Sequence, residues 1–231
     1  MFVLGLDVET TGLDNSTDKI TEIGAVLWDV VDRKPIAMVS ELCHIGDTVV
    51  TEQITKITGI TAPMLQEFGK PLDRVMGEVN ELASHALYHV AHNAPFDRGF
   101  LSPAGLIEKP WIDTRLDLPE EAYQKGKSAS LGYLAADHGF LNPFPHRAVT
   151  DVLTMLTLMG QYNFDKIEER SHSPVIRVNA LVTFDEKQKA KDCGFYWDPT
   201  YKQWYRNIKE CDLVDLKPQW DFNIRLSEVR D

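Results

Sequence analysis

Cysteine is scarce in this chain of 231 residues, which contains only Cys43, Cys193 and Cys211. The number is odd, the spacings are wide and no two cysteines form a CxxC pair, so neither a disulfide framework nor a cysteine-based zinc site is indicated. Long hydrophobic runs are also missing, since Asp7 and Glu9 interrupt the apolar N-terminal segment before it could act as a signal sequence. We therefore expect a cytoplasmic protein without a membrane segment.

Basic residues are in deficit, with 24 Lys and Arg against 35 Asp and Glu and a formal net charge of −11. The excess acid lies in residues 1–174, which hold 14 basic and 25 acidic residues, whereas residues 175–231 hold 10 of each. Because non-specific binding of long duplexes usually needs clustered Lys and Arg, it is not expected of the first segment. An acidic domain can still handle a phosphate chain locally if metal ions neutralise its site.

The order of apolar segments predicts an α/β domain over residues 1–162, in which three meandering strands precede strands that alternate with helices. Periodicity and turn signals give this order: strands 2–12, 19–28 and 35–43, helices 51–58, 61–68 and 72–86, strand 87–91, a helix from Phe96, strand 111–112, an exposed loop 119–130, and helices 131–138 and 147–162.

The composition changes after residue 162. Residues 163–174 are polar and have the composition of a linker. Residues 175–231 predict a small α+β accessory domain, rich in aromatic residues between 195 and 205. We expect Trp197 and Trp204 to form its core, because a domain of about 50 residues needs large apolar side chains. Exposed Tyr and Lys residues of this domain could instead bind nucleic acid or a protein partner.

Two acids stand in the first predicted strand. Since side chains alternate along a strand, Asp7 and Glu9 point to the same face with Cα atoms about 6.6 Å apart. Two carboxylates on a largely buried strand repel each other and lose hydration unless a cation lies between them. The pair therefore favours a divalent-cation site. Taken singly, Asp97 has the position of a helix cap, His146 that of a loop histidine and Asp151 that of an exposed helix acid.

Together these residues resemble the DEDDh 3′-to-5′ exonucleases, a family that includes proofreading subunits, exonuclease X and RNA-trimming enzymes. The motifs are Asp-x-Glu-Thr-Thr-Gly-Leu at 7–13, His-Asn-Ala-Pro-Phe-Asp at 92–97 and His-Arg-Ala-Val-Thr-Asp at 146–151. The resemblance covers about residues 1–162 and implies a ribonuclease-H-like fold with a mixed five-stranded sheet. Residues 189–205 resemble, less specifically, a small domain of unknown role that is attached to nucleic-acid-processing proteins.

The resemblance implies a two-metal mechanism with two Mg²⁺ ions, for which Mn²⁺ can substitute. Asp7 would bridge the ions, Glu9 and Asp151 would hold the ion that binds the attacking water, and Asp97 would support the other. His146 would be the general base, so activity is expected to fall below about pH 6.5. Five helical positions correspond to about 140° of rotation, so His146 is expected on a mobile loop rather than on the face of Asp151.

Substrate contacts are predicted at two places. Thr10, Thr11 and Leu13 follow the acidic strand and are expected to meet the 3′-terminal nucleotide. The residues that flank Asp97 would shape the loop or touch the substrate, namely His92, Asn93 and Phe96. Candidate phosphate neighbours are the basic residues Arg98, Arg115, Lys125, Lys127 and Arg147.

These observations predict a metal-dependent 3′-to-5′ exonuclease that releases nucleoside 5′-monophosphates from single-stranded or frayed 3′ ends of DNA. One alternative is an exoribonuclease of the same superfamily, a choice that depends on contacts with the 2′-hydroxyl. Another is a non-enzymatic, polymerase-associated subunit that binds nucleic acid. The retention of all five functional residues argues against the latter.

Overall fold

The computed structural model describes residues 1–123 and 128–227 and divides the chain into two compact units. The first unit comprises residues 1–118 and 128–164, and the second comprises residues 119–127 and 165–231. Among the helices of the described ranges, none is long and apolar enough to cross a membrane.

The first unit contains a mixed five-stranded sheet in the order β3-β2-β1-β4-β5, as expected. The first three strands are antiparallel neighbours, whereas the last two run parallel to β1. Its elements are β1 (Phe2–Thr10), β2 (Ile20–Asp29), β3 (Lys34–Leu42), α1 (Glu52–Thr58), α2 (Ala62–Phe68), α3 (Leu72–His85), β4 (Tyr88–Ala91), α4 (Ala94–Leu101), β5 (Trp111–Asp113), α5 (Leu131–Asp137) and α6 (Ala148–Met159).

Helices cover both faces of the sheet at β1, which explains why this strand is apolar on both sides. Leu4 and Leu6 belong to a buried core that also contains Val75 of α3. On the opposite face, a Cβ atom at Gly5 would lie 2.6 Å from Val152 and 2.7 Å from Leu156 of α6. Because side chains alternate, the acids of β1 share the face of Gly5 and therefore lie on the side of α6.

Two boundaries in the first part of the chain differ from the sequence prediction. Helix α4 begins at Ala94 rather than near Phe96, because Pro95 occupies a first-turn position, where a missing N–H costs nothing. The segment 119–130, predicted to be an exposed loop, contains a 3₁₀ turn over Glu120–Ala122 in which Ala122 is buried. Residues 124–127 of that prediction, including Lys125 and Lys127, lie outside the described residues.

The second unit contains an antiparallel sheet in the order β7-β8-β6-β9. Residues 163–174 were expected to be a linker, and most of them form a helix. Its elements are α7 (Phe164–His172, which begins at the end of the first unit), β6 (Val175–Leu181), α8 (Lys187–Asp192), β7 (Tyr196–Asp198), β8 (Gln203–Lys209), α9 (Leu213–Leu216) and β9 (Asn223–Ser227).

The core of the second unit is only partly the predicted one. Phe195 and Trp220 are buried with Val178, and Trp204 packs against them half-buried. Trp197 remains 48% exposed, so its assignment to the core was wrong. Trp197 contacts Trp204 at the edge of this core, whereas Trp220, from a C-terminal segment with no predicted element, is buried within it.

Candidate active site

The approach of helix α6 to strand β2 builds the site. At Gly24 a Cβ atom would lie 2.4 Å from the backbone carbon of Ala148 and 2.4 Å from the nitrogen of Val149. A larger residue at this position would push the helix away, since such distances are far below van der Waals contact. The glycine thus brings the first turn of α6 against the sheet, beside the acidic face of β1.

Three of the predicted residues meet there. Ligand atoms of Glu9, His146 and Asp151 all lie within 4.8 Å of one another. Asp7 lies on the same face of β1 as Glu9 and lines the same cavity as His146 and Asp151. A cavity of about 590 Å³, lined by Asp7, His146 and Asp151 among others, opens next to the cluster. The site is therefore accessible to a ligand.

Asp97 joins the cluster from α4. Its side chain is 2% exposed, and its Oδ1 accepts a hydrogen bond of 3.0 Å from the backbone N–H of Val8, between the two acids of β1. Burial raises the pKa of Asp97 to about 8, with smaller contributions from the charges of Asp113 and Glu9. Its position differs from that of a surface helix cap, because the side chain points into the sheet.

Burial and mutual repulsion raise the pKa values of the remaining acids. The pKa of Asp7 lies well above its ordinary range, first through burial and then through the charges of Asp97 and Asp151. Burial, followed by the charges of Asp151 and Glu22, raises the pKa of Glu9 to about 7. Burial likewise raises the pKa of Asp151. Four carboxylates are thus held where their charged forms are unfavourable without a cation.

These donors fit divalent cations that prefer oxygen. Asp7 Oδ2 is buried without a hydrogen-bond partner among the described residues, which is costly unless another ligand takes its place. Carboxylate oxygens suit Mg²⁺ and Mn²⁺ better than soft metals. No other group of three or more His, Cys, Asp or Glu side chains in the described ranges has the spacing for a metal ion beyond Glu9, His146 and Asp151.

His146 lies in the turn that precedes α6, as expected from helix geometry. Its backbone has a φ of 61°, and its N–H donates a hydrogen bond of 3.0 Å to Asp151 Oδ2. Asn142 donates to the other oxygen of Asp151. The imidazole is exposed at the edge of the cavity. The carboxylate of Asp151 is therefore held in place by the same turn that presents the histidine.

Glu22 was not among the predicted site residues, and it forms an ion pair with Arg147, a candidate phosphate neighbour. Glu22 is 1% exposed and directly opposite Glu9 in the β1–β2 ladder. Arg147 donates to it through Nε at 3.1 Å and Nη2 at 2.7 Å, and the N–H of Ala148 donates at 3.0 Å. Arg147 is therefore held by Glu22 with its side chain 40% exposed, and its contact with a phosphate stays a prediction. The available signal was an acid inside the otherwise apolar segment 20–27.

We expect Arg147→Met to lower the free energy of unfolding by about 2 kcal/mol or more, because it leaves the Glu22 carboxylate buried without its partner. This loss in the free energy of unfolding is smaller than that expected when both partners of an ion pair are buried, because the Arg147 side chain is 40% exposed. Urea denaturation measures the change. Arg98→Met is the control, because its ion pair with Glu108 is exposed on both sides and should contribute less than about 1 kcal/mol. Equal losses in both variants would contradict the prediction.

The residues after β1 form a closed turn. The hydroxyl of Thr10 donates to the carbonyl of Gly12, and that of Thr11 donates to Asp18 at 3.0 Å. Both hydroxyl hydrogens are thus donated within the turn, and the two residues are buried. Leu13 is 86% exposed, which leaves its apolar side chain available at the surface.

The residues that flank Asp97 have structural partners. His92 lines the cavity, and its ring nitrogens bond to Thr114 Oγ1 at 2.9 Å and to the carbonyl of Ala129 at 2.8 Å. Burial lowers the pKa of His92, so it is neutral near pH 7. Asn93 adopts a φ of 85°. Phe96 packs on the ring of Phe100, 5.1 Å between centroids, in the core.

The two remaining basic candidates are engaged as well. Arg98 lies 3.7 Å from Glu108, and Arg115 donates to Asn93 Oδ1 at 3.3 Å. Both contacts are exposed, so they leave the guanidinium groups reachable by a phosphate.

Solved nuclease structures share this fold. Exonuclease X in complex with 5′-overhanging duplex DNA matches with a TM-score of 0.56 and 24% identity, covering 73% of this chain and 99% of that chain. The zinc-bound E. coli ExoI–ssDNA complex matches with a TM-score of 0.62 and 16% identity, covering 78% and 47%. A 3′-exonuclease that recognises a histone mRNA stem-loop has a TM-score of 0.55 and 13% identity, covering 69% and 80%.

Curated relatives include PolC-type DNA polymerase III. The enzyme of Caldanaerobacter subterraneus subsp. tengcongensis is 32% identical over 181 residues, which cover 76% of this chain and 12% of the polymerase. That of Clostridium perfringens is 32% identical over 189 residues, which cover 78% and 12%. This chain therefore corresponds to a small part of those polymerases.

Two family models match the sequence. A domain of unknown function matches residues 177–219, within the second unit. The RNase T exonuclease model matches residues 4–159, which include the acids of β1, Asp97, His146 and Asp151. The chain therefore belongs to the RNase T family of exonucleases and carries a DEDDh-type exonuclease domain.

Proposed function

We propose that the protein is a metal-dependent 3′-to-5′ exonuclease that removes nucleoside 5′-monophosphates from single-stranded or frayed 3′ ends of DNA. The observation that supports this most strongly is the cluster of buried Asp97 with half-buried Asp7, Glu9 and Asp151 beside an open cavity. Asp7 Oδ2 has no hydrogen-bond partner among the described residues, and burial raises the pKa values of Asp7 and Glu9. Both features favour a bound cation at this site.

The four carboxylates would hold two divalent cations, Mg²⁺ by preference with Mn²⁺ as a substitute. When bound, the cations neutralise charge on the phosphodiester and favour a nucleophilic water. The charges balance, since four carboxylates contribute −4 and two cations +4. Asp7 lies on β1 and Asp97 on α4, and the hydrogen bond from Val8 N–H to Asp97 Oδ1 joins the two elements.

His146 would accept the proton of the attacking water on a ring nitrogen. The imidazole is close to the carboxylates of Glu9 and Asp151 and exposed to the cavity, so it can reach a water held there. Its backbone N–H orients Asp151, which couples the position of the base to that of a cation ligand. Leu13, exposed beyond the acidic strand, would pack against the terminal base.

DNA is the favoured substrate because the PolC-type relatives are DNA polymerases and the ExoI and exonuclease X structures contain DNA. An exoribonuclease is the second candidate, supported by the histone mRNA exonuclease with the same fold. A non-enzymatic, polymerase-associated role is disfavoured by the complete set of acids and histidine.

Cytoplasmic location and a protein partner for residues 175–231 remain predictions.

One assay tests the proposal. Single-stranded DNA and RNA of equal sequence, labelled at either end, are incubated with the protein and Mg²⁺, Mn²⁺ or EDTA. We expect mononucleotides to be released from the 3′ end of DNA with either metal and no cleavage in EDTA. Cleavage that persists in EDTA, or that starts at the 5′ end, would overturn the proposal. Faster degradation of RNA would favour the exoribonuclease instead.

A further inference from the structure

A second cavity, of about 510 Å³, lies in the second unit at one end of its sheet. Its walls come from residues 179–184, from the β7–β8 hairpin and from Arg225. The lining includes four aromatic side chains and two cations but no carboxylate. The charged side chains that line it are therefore basic, although the chain has a net charge of −11 and the cavity of the first unit is lined by Asp7 and Asp151.

The aromatic side chains of this groove are presented to solvent. Phe184 is 77% exposed, Tyr201 50% and Trp197 48%. The hydrophobic core of the unit is already formed by Phe195 and Trp220 with their neighbours, so folding does not require these rings to be buried. Trp197 packs against Trp204, with 5.5 Å between the ring centroids. This contact holds its indole in place and leaves part of it exposed.

The cations of the groove are available to an anion. Lys202 makes no ion pair with any residue in the described ranges. Arg225 donates only a long bond of 3.4 Å, to the neutral Gln203 side chain, among its described side-chain contacts. Arg177 shows the contrast, since it pairs with Asp198 and stacks 3.8 Å from the Tyr205 ring. Arg177 is thus held by an acid and a ring, whereas Lys202 and Arg225 have no acidic partner within the described residues.

We propose that this groove binds a short stretch of single-stranded nucleic acid, with bases stacked on Trp197 and Tyr201 and phosphates near Lys202 and Arg225. Flat exposed rings combined with unpaired cations are the features that bind single strands without sequence preference. This function goes beyond the proposed exonuclease activity and does not depend on it. Where both hold, the groove adds a second attachment point for the strand and raises its effective concentration.

The test measures binding of a 20-nucleotide thymidine oligomer to the full chain in EDTA, by fluorescence anisotropy at several salt concentrations. Trp197→Ala and Tyr201→Ala are each expected to raise Kd about tenfold, because one stacking contact is lost. Lys202→Glu should raise Kd and reduce the salt dependence. Trp197→Phe should retain most of the binding, since a ring is preserved.

Matched controls lie in the same unit. Tyr196→Ala removes a ring that is 57% exposed but does not line the groove, and Lys217→Glu reverses a charge away from it. Both should bind as the parent protein does. Circular dichroism and melting temperature establish that each variant is folded.

The result that overturns the groove proposal is an unchanged Kd in folded Trp197→Ala and Lys202→Glu. Binding to a protein partner would then be the remaining use of this surface. Since the measurement is made in EDTA, it is independent of hydrolysis. A protein that binds through the groove but cleaves nothing with Mg²⁺ would refute the exonuclease proposal and leave this one standing.

Discussion

Replacing Asp7 with Asn is expected to lower kcat about a thousandfold or more while making the metal-free protein more stable at pH 8. The carboxylate lies at the centre of the four acids, and several kcal/mol of transition-state stabilisation depend on the cations it would bind. Each 1.36 kcal/mol corresponds to a tenfold change in rate. The asparagine keeps the shape but cannot ionise, which removes the cost of burying a carboxylate there and its repulsion by Asp97, Asp151 and Glu9.

The pH dependence of stability follows from the same acids. Folding raises the pKa of Glu9 from 4.5 to about 7 and that of Asp97 from 3.8 to about 8. When the folded pKa lies above the unfolded one, the contribution to stability is complete below the unfolded pKa and is lost as pH rises. The metal-free protein should therefore lose stability between about pH 4 and 8, and saturating Mg²⁺ should restore it by binding the folded state.

Thermal melts from pH 5 to 8, with EDTA or Mg²⁺, measure both effects. Glu67→Gln is the control, because it removes an exposed acid of α2 far from the cluster in sequence and should change neither kcat nor the slope of melting temperature against pH. A melting temperature of Asp7→Asn that equals or falls below that of the parent protein at pH 8 in EDTA would contradict the repulsion argument. Retained nuclease activity would contradict the role of Asp7 in the site.

His146→Gln is expected to lower kcat about 10²- to 10⁴-fold, the usual contribution of a positioned general base. A base must be unprotonated, so the parent enzyme should lose activity towards acid pH. At saturating Mg²⁺ the carboxylates are held in their charged forms, and the acid limb of the kcat profile then reports the imidazole. The variant should show a flat profile over that range, with little change in melting temperature because the side chain is exposed.

The control for this measurement is His44→Gln, which removes another exposed histidine and should retain both the rate and the acid limb. If the acid limb persists unchanged in His146→Gln, the proton acceptor is a different group. Asp151→Asn distinguishes a cation ligand from a general base. It should lower kcat and also raise the Mg²⁺ concentration needed for half-maximal activity, which His146→Gln should leave unchanged.

Local signals were sufficient for most elements of the first unit. Apolar segments, helical periodicity and turn residues predicted the bounds of β1 to β3 and α1 to α3 closely. The second unit was predicted less well. The pairing of β9 with β6 joins residues 42 to 50 positions apart, and Trp220 is buried with Val178, 42 positions away, so local pattern offers no signal for either.

The linear sequence was enough to determine the family and the residue types of the site, because three motifs retain their order and spacing along the chain. Tertiary structure alone decided how those residues are arranged. Gly24 permits the close approach of α6, and buried Glu22 engages Arg147, which follows the histidine directly. Both contacts join residues more than 120 positions apart, and their energies depend on burial, which no local pattern specifies.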